Sequence, residues 1–340
     1  MIENTVFSEK ELKNVVRIKY NIYVTEIKRI NRGSANLYSI NNNTYVLKEF
    51  QSKYTNEEIN REIVVINHLK NDNLSVPEYI TTIDNEYSFS YKGKTITMQK
   101  FIDGYTVESN TGTYEQILES ASMLGKIVKS LKTLEIELPI IDVSTWFSLE
   151  TIENAINKHK KLLEKIMNSD EFEIVDGLKD KISMLEYVRD NFIFDDMMKL
   201  TILNTHGDYS VLQFIYKNEK INSVIDFVSA CKMPVVWEVI RSYSYIDLKA
   251  KDGKIDIDNL TDYVKEFNKY IKLNKYDIKY MAYLYLIQLL TSTFGYKQYI
   301  EDNSKKELLD FALFRTKLSR FLFDNASTIG KCLENKIVSE

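Results

Sequence analysis

The sequence predicts an α+β fold, a small strand-rich part followed by a larger, mainly helical one. Two observations carry this reading. Apolar residues alternate through much of Tyr20–Phe101, then recur at three and four residues after Gly104. Only ten glycines and three prolines interrupt 340 residues, so regular elements and short loops are expected. The length suits one large domain or two ordinary ones, and 44% hydrophobic residues supply a sizeable core.

In the first part the strand-like runs are Tyr20–Ile30, Leu37–Ile40, Thr44–Phe50, Tyr79–Ile83, Tyr87–Tyr91 and Lys94–Phe101. One helix, Asn56–Lys70, interrupts them, with Ile59, Ile63, Ile66 and Leu69 as its apolar stripe. Thr55 or Asn56 suits its N-cap, with Glu57 and Glu58 in the first turn. A short connection near Gln99–Gly104 leads into the helical part, giving expected domains at 1–102 and 103–340 with a ligand cleft between them. Helical stripes follow at Ile117, Ala121, Leu124, Val128 and Leu131, then at Ile152, Ile156 and Leu162–Ile166. A third runs through Leu178, Ile182, Leu185 and Val188, and the pattern returns from Leu260 onward. Between them Gln213–Tyr216 and Ile221–Ile225 flank Lys217-Asn218-Glu219-Lys220, which reads as a hairpin.

Composition narrows the function classes. The formal charge is -4, from 45 basic and 49 acidic residues, so there is no broad electrostatic case for nucleic acid or an anionic membrane. Two cysteines, Cys231 and Cys332, argue against a disulfide framework or a cysteine metal cluster. The first residues lack a basic segment and apolar core of the signal-peptide kind. The most apolar stretch, Met281–Leu290, is about half the length a membrane span needs. These features lead to the expectation of a soluble, cytoplasmic protein.

The chemistry concentrates around the hairpin. His206-Gly207-Asp208 precedes it and Asp226 ends it. A hairpin returns its own ends to one place, so the two carboxylates are expected near each other, one to accept a proton and one to hold a divalent cation. Either piece alone is more simply a turn or a cap. In the first part, alternation puts Val46, Lys48 and Phe50 on one strand face, and a lysine between apolar neighbours needs a partner. Glu62 shares a helix face with Ile59, Ile66 and Leu69 and so points inward.

His206-Gly-Asp-Tyr-Ser-Val-Leu-Gln213, followed by Val224-Ile-Asp-Phe227, resembles the catalytic core of the aminoglycoside phosphotransferase and choline kinase superfamily. That resemblance implies the protein-kinase-like bilobal fold and phosphorylation of a small-molecule hydroxyl by ATP (or GTP) with Mg2+. It implies Asp208 as catalytic base and Asp226 as metal ligand, with Gln213 where most of the family has a metal-binding Asn. It assigns Lys48 to the α- and β-phosphates and Glu62 to Lys48 as ion-pair partner. Gly33-Ser34-Ala35-Asn36 resembles the phosphate-covering loop, a Gly with an Asn three residues later, although such a segment is more commonly a hairpin turn. Ile96–Gly104 resembles the segment joining the lobes, with adenine bonded to the backbone at Gln99 and Phe101 and Met98 behind it. Glu238 matches an acidic residue that bonds the catalytic loop.

Gln has the amide oxygen of Asn with one extra methylene, and Mg2+ demands tight octahedral geometry. Val211 and Leu212 also replace the Pro-Gly often found in that loop. Two readings follow: an active small-molecule phosphotransferase, or a non-catalytic nucleotide- or partner-binding protein like the spore-coat branch. A protein kinase is disfavoured, since no Ala-Pro-Glu segment follows Asp226. Trp237, Tyr243 and Tyr245 are candidates for an acceptor pocket, but with 23 tyrosines a core role is the simpler reading. His68 and His159 lie on helical segments without histidine partners at metal spacing and read as surface or satisfied side chains.

Overall fold

The two-residue period of the first hundred positions becomes an antiparallel sheet in the computed structural model, which describes residues 3–30, 35–167, 170–192 and 194–337. The chain divides into two units. The first comprises Met1–Thr106, Thr133–Glu135 and Gln213–Ala230, and the second Val107–Lys132, Ile136–Leu212 and Cys231–Glu340.

The first unit begins with a helix, α1 (Glu9–Tyr20), where no element was expected. Ser8 and Glu11 form a reciprocal capping box, and Leu12, Val15, Val16 and Tyr20 bury one face. Asn21 closes the helix in the left-handed conformation. The expected strand from Tyr20 is therefore corrected to β1 (Ile27–Ile30) alone. There follow β2 (Asn36–Ile40), β3 (Tyr45–Glu49), α2 (Asn56–Asn71), β4 (Tyr79–Ile80), β5 (Ser88–Tyr91) and β6 (Lys94–Lys100). The sheet order is β1-β2-β3-β6-β4, with β5 also on β6. The run Tyr79–Ile83 shrinks to two residues because Thr82 turns back to Glu86 and the Ile83 amide donates to the Lys19 carbonyl. Thr55 caps α2 and forms a capping box with Glu58.

The second unit contains α3 (Tyr114–Leu131), α4 (Leu149–Ile166), α5 (Phe172–Asn191) and β7 (Ile202–Thr205). The expected hairpin is present as β8 (Phe214–Lys217) and β9 (Lys220–Val224), and it belongs to the first unit. Returning to the second unit, β10 (Cys231–Pro234) pairs antiparallel with β7, a two-stranded ribbon the sequence did not suggest. Then come α6 (Val235–Ile246), α7 (Ile257–Asn268), α8 (Lys275–Thr291), α9 (Tyr296–Glu301) and α10 (Lys306–Ile337). The apolar run Met281–Leu290 is the buried centre of α8, where Met281, Leu284, Leu286 and Leu289 are inaccessible. Among the described residues no helix is long and apolar enough to cross a membrane.

His159 on α4 is a core residue of the second unit. Its Nδ1 bonds the Ala155 carbonyl at 2.8 Å and its side chain is inaccessible. Burial, helped by the nearby charge of Lys181, pushes its pKa down from 6.5 to about 4. The unfolded chain therefore binds more protons between these values, and stability falls as pH drops through that window. Denaturant titration should show a loss of roughly 2 kcal/mol between pH 7.5 and pH 5 that His159→Gln removes. Identical pH dependence in parent and variant would contradict this account.

Candidate active site

The first unit gathers one cation and two carboxylates. Lys48 lies in β3 between Leu37 of β2 and Thr97 of β6, with a side chain only 14% exposed. Its Nζ is 3.0 Å from Asp226 Oδ1 and 3.6 Å from Glu62 Oε1, and it sits 4.3 Å from the centre of the Phe50 ring. Glu62 reaches it from the buried face of α2, beside Ile59, Ile63 and Ile66. Asp226 follows β9 in the left-handed conformation, φ 67° and ψ 56°. Asp is among the few non-glycine residues common there, and the conformation turns the chain sharply into Phe227, which packs against α2.

Burial alone disfavours the ammonium of Lys48, but the carboxylates of Glu62 and Asp226 more than offset it and hold its pKa above that of an ordinary lysine. Burial raises the Glu62 carboxyl, and the Asp226 charge adds to this against the pull of Lys48. Tyr79 on β4 also bonds Glu62; burial and the two carboxylates keep its phenol protonated. Nothing in the sequence pattern marked Tyr79, since its run reads as ordinary strand.

Gln213 stands at the other end of the same hairpin. The Ile225 amide donates to the Gln213 carbonyl at 2.9 Å, which makes Gln213 and Asp226 neighbours across the hairpin's open end. A carboxylate and an amide side chain, both oxygen donors, suit Mg2+, which takes few protein ligands and completes its shell with phosphate and water. No group of three or more His, Cys, Asp or Glu with metal-holding geometry occurs among the described residues.

Gly33 and Ser34 lie outside the described residues. The Asn36 side chain is 3% exposed. Its Nδ2 donates to Glu49 Oε1 at 3.3 Å and to the Glu3 carbonyl at 3.1 Å, and its Oδ1 accepts from Arg29 at 2.8 Å. Asn36 thus pins the start of β2 to β3 and to the N-terminal segment. Gln99 lies in β6 between Val46 and Tyr79, with Met98 buried beside it. The Phe101 amide donates to the Thr44 carbonyl at 3.0 Å, whereas the Ile102 amide has no backbone partner among the described residues.

In the second unit, β7 delivers the chain into His206-Gly207-Asp208. Gly207 has φ 80°, which a side chain would strain. Glu238, inaccessible on α6, holds this turn from beneath. Its Oε2 accepts from the His206 amide at 3.1 Å and its Oε1 from the Tyr209 amide at 3.0 Å, the loop-bonding role expected of it. Burial raises its pKa, while His206, the Tyr209 amide and Arg241 favour the charged form. The Asp208 side chain is 41% exposed and accepts from Arg241 Nη2 at 2.5 Å. Arg241 was not singled out from sequence; its only signal was a position one helical turn after Glu238. Trp237, Tyr243 and Tyr245 are all buried, and Tyr243 packs edge-on against Tyr263 and donates to the Asp256 carbonyl. These aromatics are core.

The model of the phosphotransferase enzyme family matches residues 26–257. Homoserine kinase of Zymomonas mobilis subsp. mobilis is 26% identical over 223 residues, 64% of this chain and 64% of that protein. The match thus spans less than two thirds of that curated relative. Among solved structures, an aminoglycoside phosphotransferase from Alicyclobacillus acidocaldarius has a TM-score of 0.67 at 13% identity, covering 96% of this chain and 97% of that one. An amicoumacin kinase in complex with AMP-PNP and Ca2+ has a TM-score of 0.62 at 12% identity, covering 92% and 94%. The fold is the protein-kinase-like α+β class, one strand-rich unit and one mainly helical unit.

Proposed function

Because the chain belongs to the phosphotransferase enzyme family, we propose that it transfers the terminal phosphoryl group of ATP or GTP to a hydroxyl of a small molecule. The observation that carries this reading is the buried Lys48 held by Glu62 and Asp226. A cation fixed in this way is oriented before an anionic ligand arrives, which suits it to the α- and β-phosphates. Glu62 keeps the ammonium in place as the nucleotide competes for it. Asp208 takes the proton of the acceptor hydroxyl while the hydroxyl oxygen bonds to phosphorus and the bond to the departing nucleoside diphosphate breaks. Asp226 and Gln213 would hold Mg2+, which when bound neutralises phosphate charge and orients the transferring group. The backbone at Gly33 and Ser34 would cover the phosphates, with Asn36 bracing that loop from its far end. Adenine or guanine would bond the backbone near Gln99, with the Ile102 amide as donor because that of Phe101 is engaged.

The acceptor classes consistent with the family are aminoglycosides, amino alcohols and sugar derivatives, and the similarity to a homoserine kinase supports adding a hydroxylated amino acid to the panel. The test is a screen of these acceptors with ATP or GTP and Mg2+, reading nucleoside diphosphate formed above the acceptor-free background. At least one acceptor should raise it. No rise with either nucleotide, together with retained nucleotide binding, would favour the non-catalytic reading.

Gln213 divides these readings. In the active enzyme Gln213→Ala should lower turnover and raise the Mg2+ concentration needed for half-maximal rate. Gln213→Asn, with the shorter and commoner side chain, should match or exceed the parent. Metal titrations of the three proteins check this. An unchanged metal dependence in Gln213→Ala would make Gln213 a turn residue only.

A further inference from the structure

The helix α6 grips the Asp208 loop twice over. Glu238 binds the amides on either side of Asp208, those of His206 and Tyr209. One turn later Arg241 bridges Asp208 and the next residue, with Nη2 on Asp208 Oδ1 at 2.5 Å and Nη1 on the Tyr209 carbonyl at 3.1 Å. A single planar guanidinium thus ties a side-chain oxygen to the backbone immediately beyond it. The guanidinium is itself fixed, lying 5.2 Å from the Trp237 ring centre and 5.0 Å from that of Tyr245, and Trp237 rests edge-on against Trp146 at 5.8 Å. Its side chain is only 16% exposed, whereas that of Asp208 is 41% exposed. An exposed carboxylate normally turns freely about two side-chain torsions. Here one oxygen is anchored to a buried, aromatic-clamped cation.

We propose that Arg241 is a positioning residue for phosphoryl transfer, which sets the direction in which the Asp208 carboxylate meets the acceptor hydroxyl. This rests on the reading of Asp208 as the base. A carboxylate must approach the hydroxyl within hydrogen-bond distance and along the right line, and a misplacement of about 1 Å costs roughly a hundredfold in rate. Lysine at this position supplies a point charge but cannot bridge Asp208 Oδ1 and the Tyr209 carbonyl with one rigid fork. Glutamine keeps part of the stem and loses the charge.

The experiment measures kcat, the KM for nucleotide and the KM for acceptor in the parent, Arg241→Lys and Arg241→Gln. It also determines the orientation of Asp208 in crystal structures of all three. The expected result is a loss in kcat of roughly a hundredfold in Arg241→Gln, partly rescued in Arg241→Lys, with nucleotide KM within about twofold of the parent. The Asp208 carboxylate should adopt a new orientation in Arg241→Gln. An unchanged Asp208 orientation in both folded variants overturns the proposal, whether or not the protein has measurable turnover. Parallel losses in kcat and nucleotide affinity would equally overturn it, since they mark a general disturbance of the fold. A parent that turns over no acceptor, with Asp208 reoriented in Arg241→Gln, would uphold the positioning contact and locate the failure in the phosphotransferase reading.

Discussion

Asp208→Ala should lower kcat by roughly 10²–10⁴-fold while leaving nucleotide affinity close to that of the parent. The size follows from what a positioned base contributes when it acts only in the transition state. Retained affinity follows from the role itself: a base that acts only in the transition state adds nothing to ground-state binding of the nucleotide. The loop should keep its conformation, because Glu238 and the hydrogen bond from the Asp208 amide to His206 Nδ1 are independent of the removed carboxylate. Steady-state kinetics together with nucleotide binding by calorimetry check both halves. Near-parent turnover in a folded variant would remove Asp208 from the chemistry.

Asp226→Ala should have a comparable effect on turnover by another route. Its carboxylate is 3.0 Å from Lys48 Nζ and stands at the hairpin end next to Gln213. Removing it takes away the charged member of the proposed cation site, and charge stabilisation of this kind is worth several kcal/mol, roughly 10²–10³-fold in rate. Unlike Asp208→Ala, this variant should also bind the Mg2+ nucleotide more weakly. Lys48 keeps Glu62 as its partner, so the unit should still fold. Equal nucleotide affinity with and without Mg2+ in the parent and in Asp226→Ala would contradict the role.

Local patterns made much of this legible in the sequence. Alternation in Thr44–Phe50 and helical spacing after Thr55 put Lys48 and Glu62 on inward faces, whereas their pairing was implied only by the family resemblance and is seen in the structure. The hairpin was equally readable, because two apolar runs around a polar segment are local signals, although Lys217 and Lys220 pair as strand residues and the turn itself is only Asn218-Glu219. What escaped depended on other information. The helix α1 is signalled by its Ser8 and Glu11 capping box, and the strand-like residues after Tyr20 mask where it ends. Strands β7 and β10 are four residues each, too short for a period, and are defined by pairing across 26 to 32 positions. Tyr79 and Arg241 act through partners 17 and 33 residues away, and no spacing rule connects such pairs. Asn36 was assigned by its place in a motif, whereas Glu3, Arg29 and Glu49 decide where its amide points.

The central claim is transfer of a phosphoryl group to an acceptor hydroxyl with Asp208 as base. The most direct test follows the phosphorus NMR spectrum of parent and Asp208→Ala with Mg2+ nucleotide and the best acceptor from the screen. The account predicts a new phosphomonoester resonance that grows in step with nucleoside diphosphate in the parent and is nearly abolished in the variant. Release of inorganic phosphate alone, or a phosphomonoester formed at the same rate by both proteins, would contradict it.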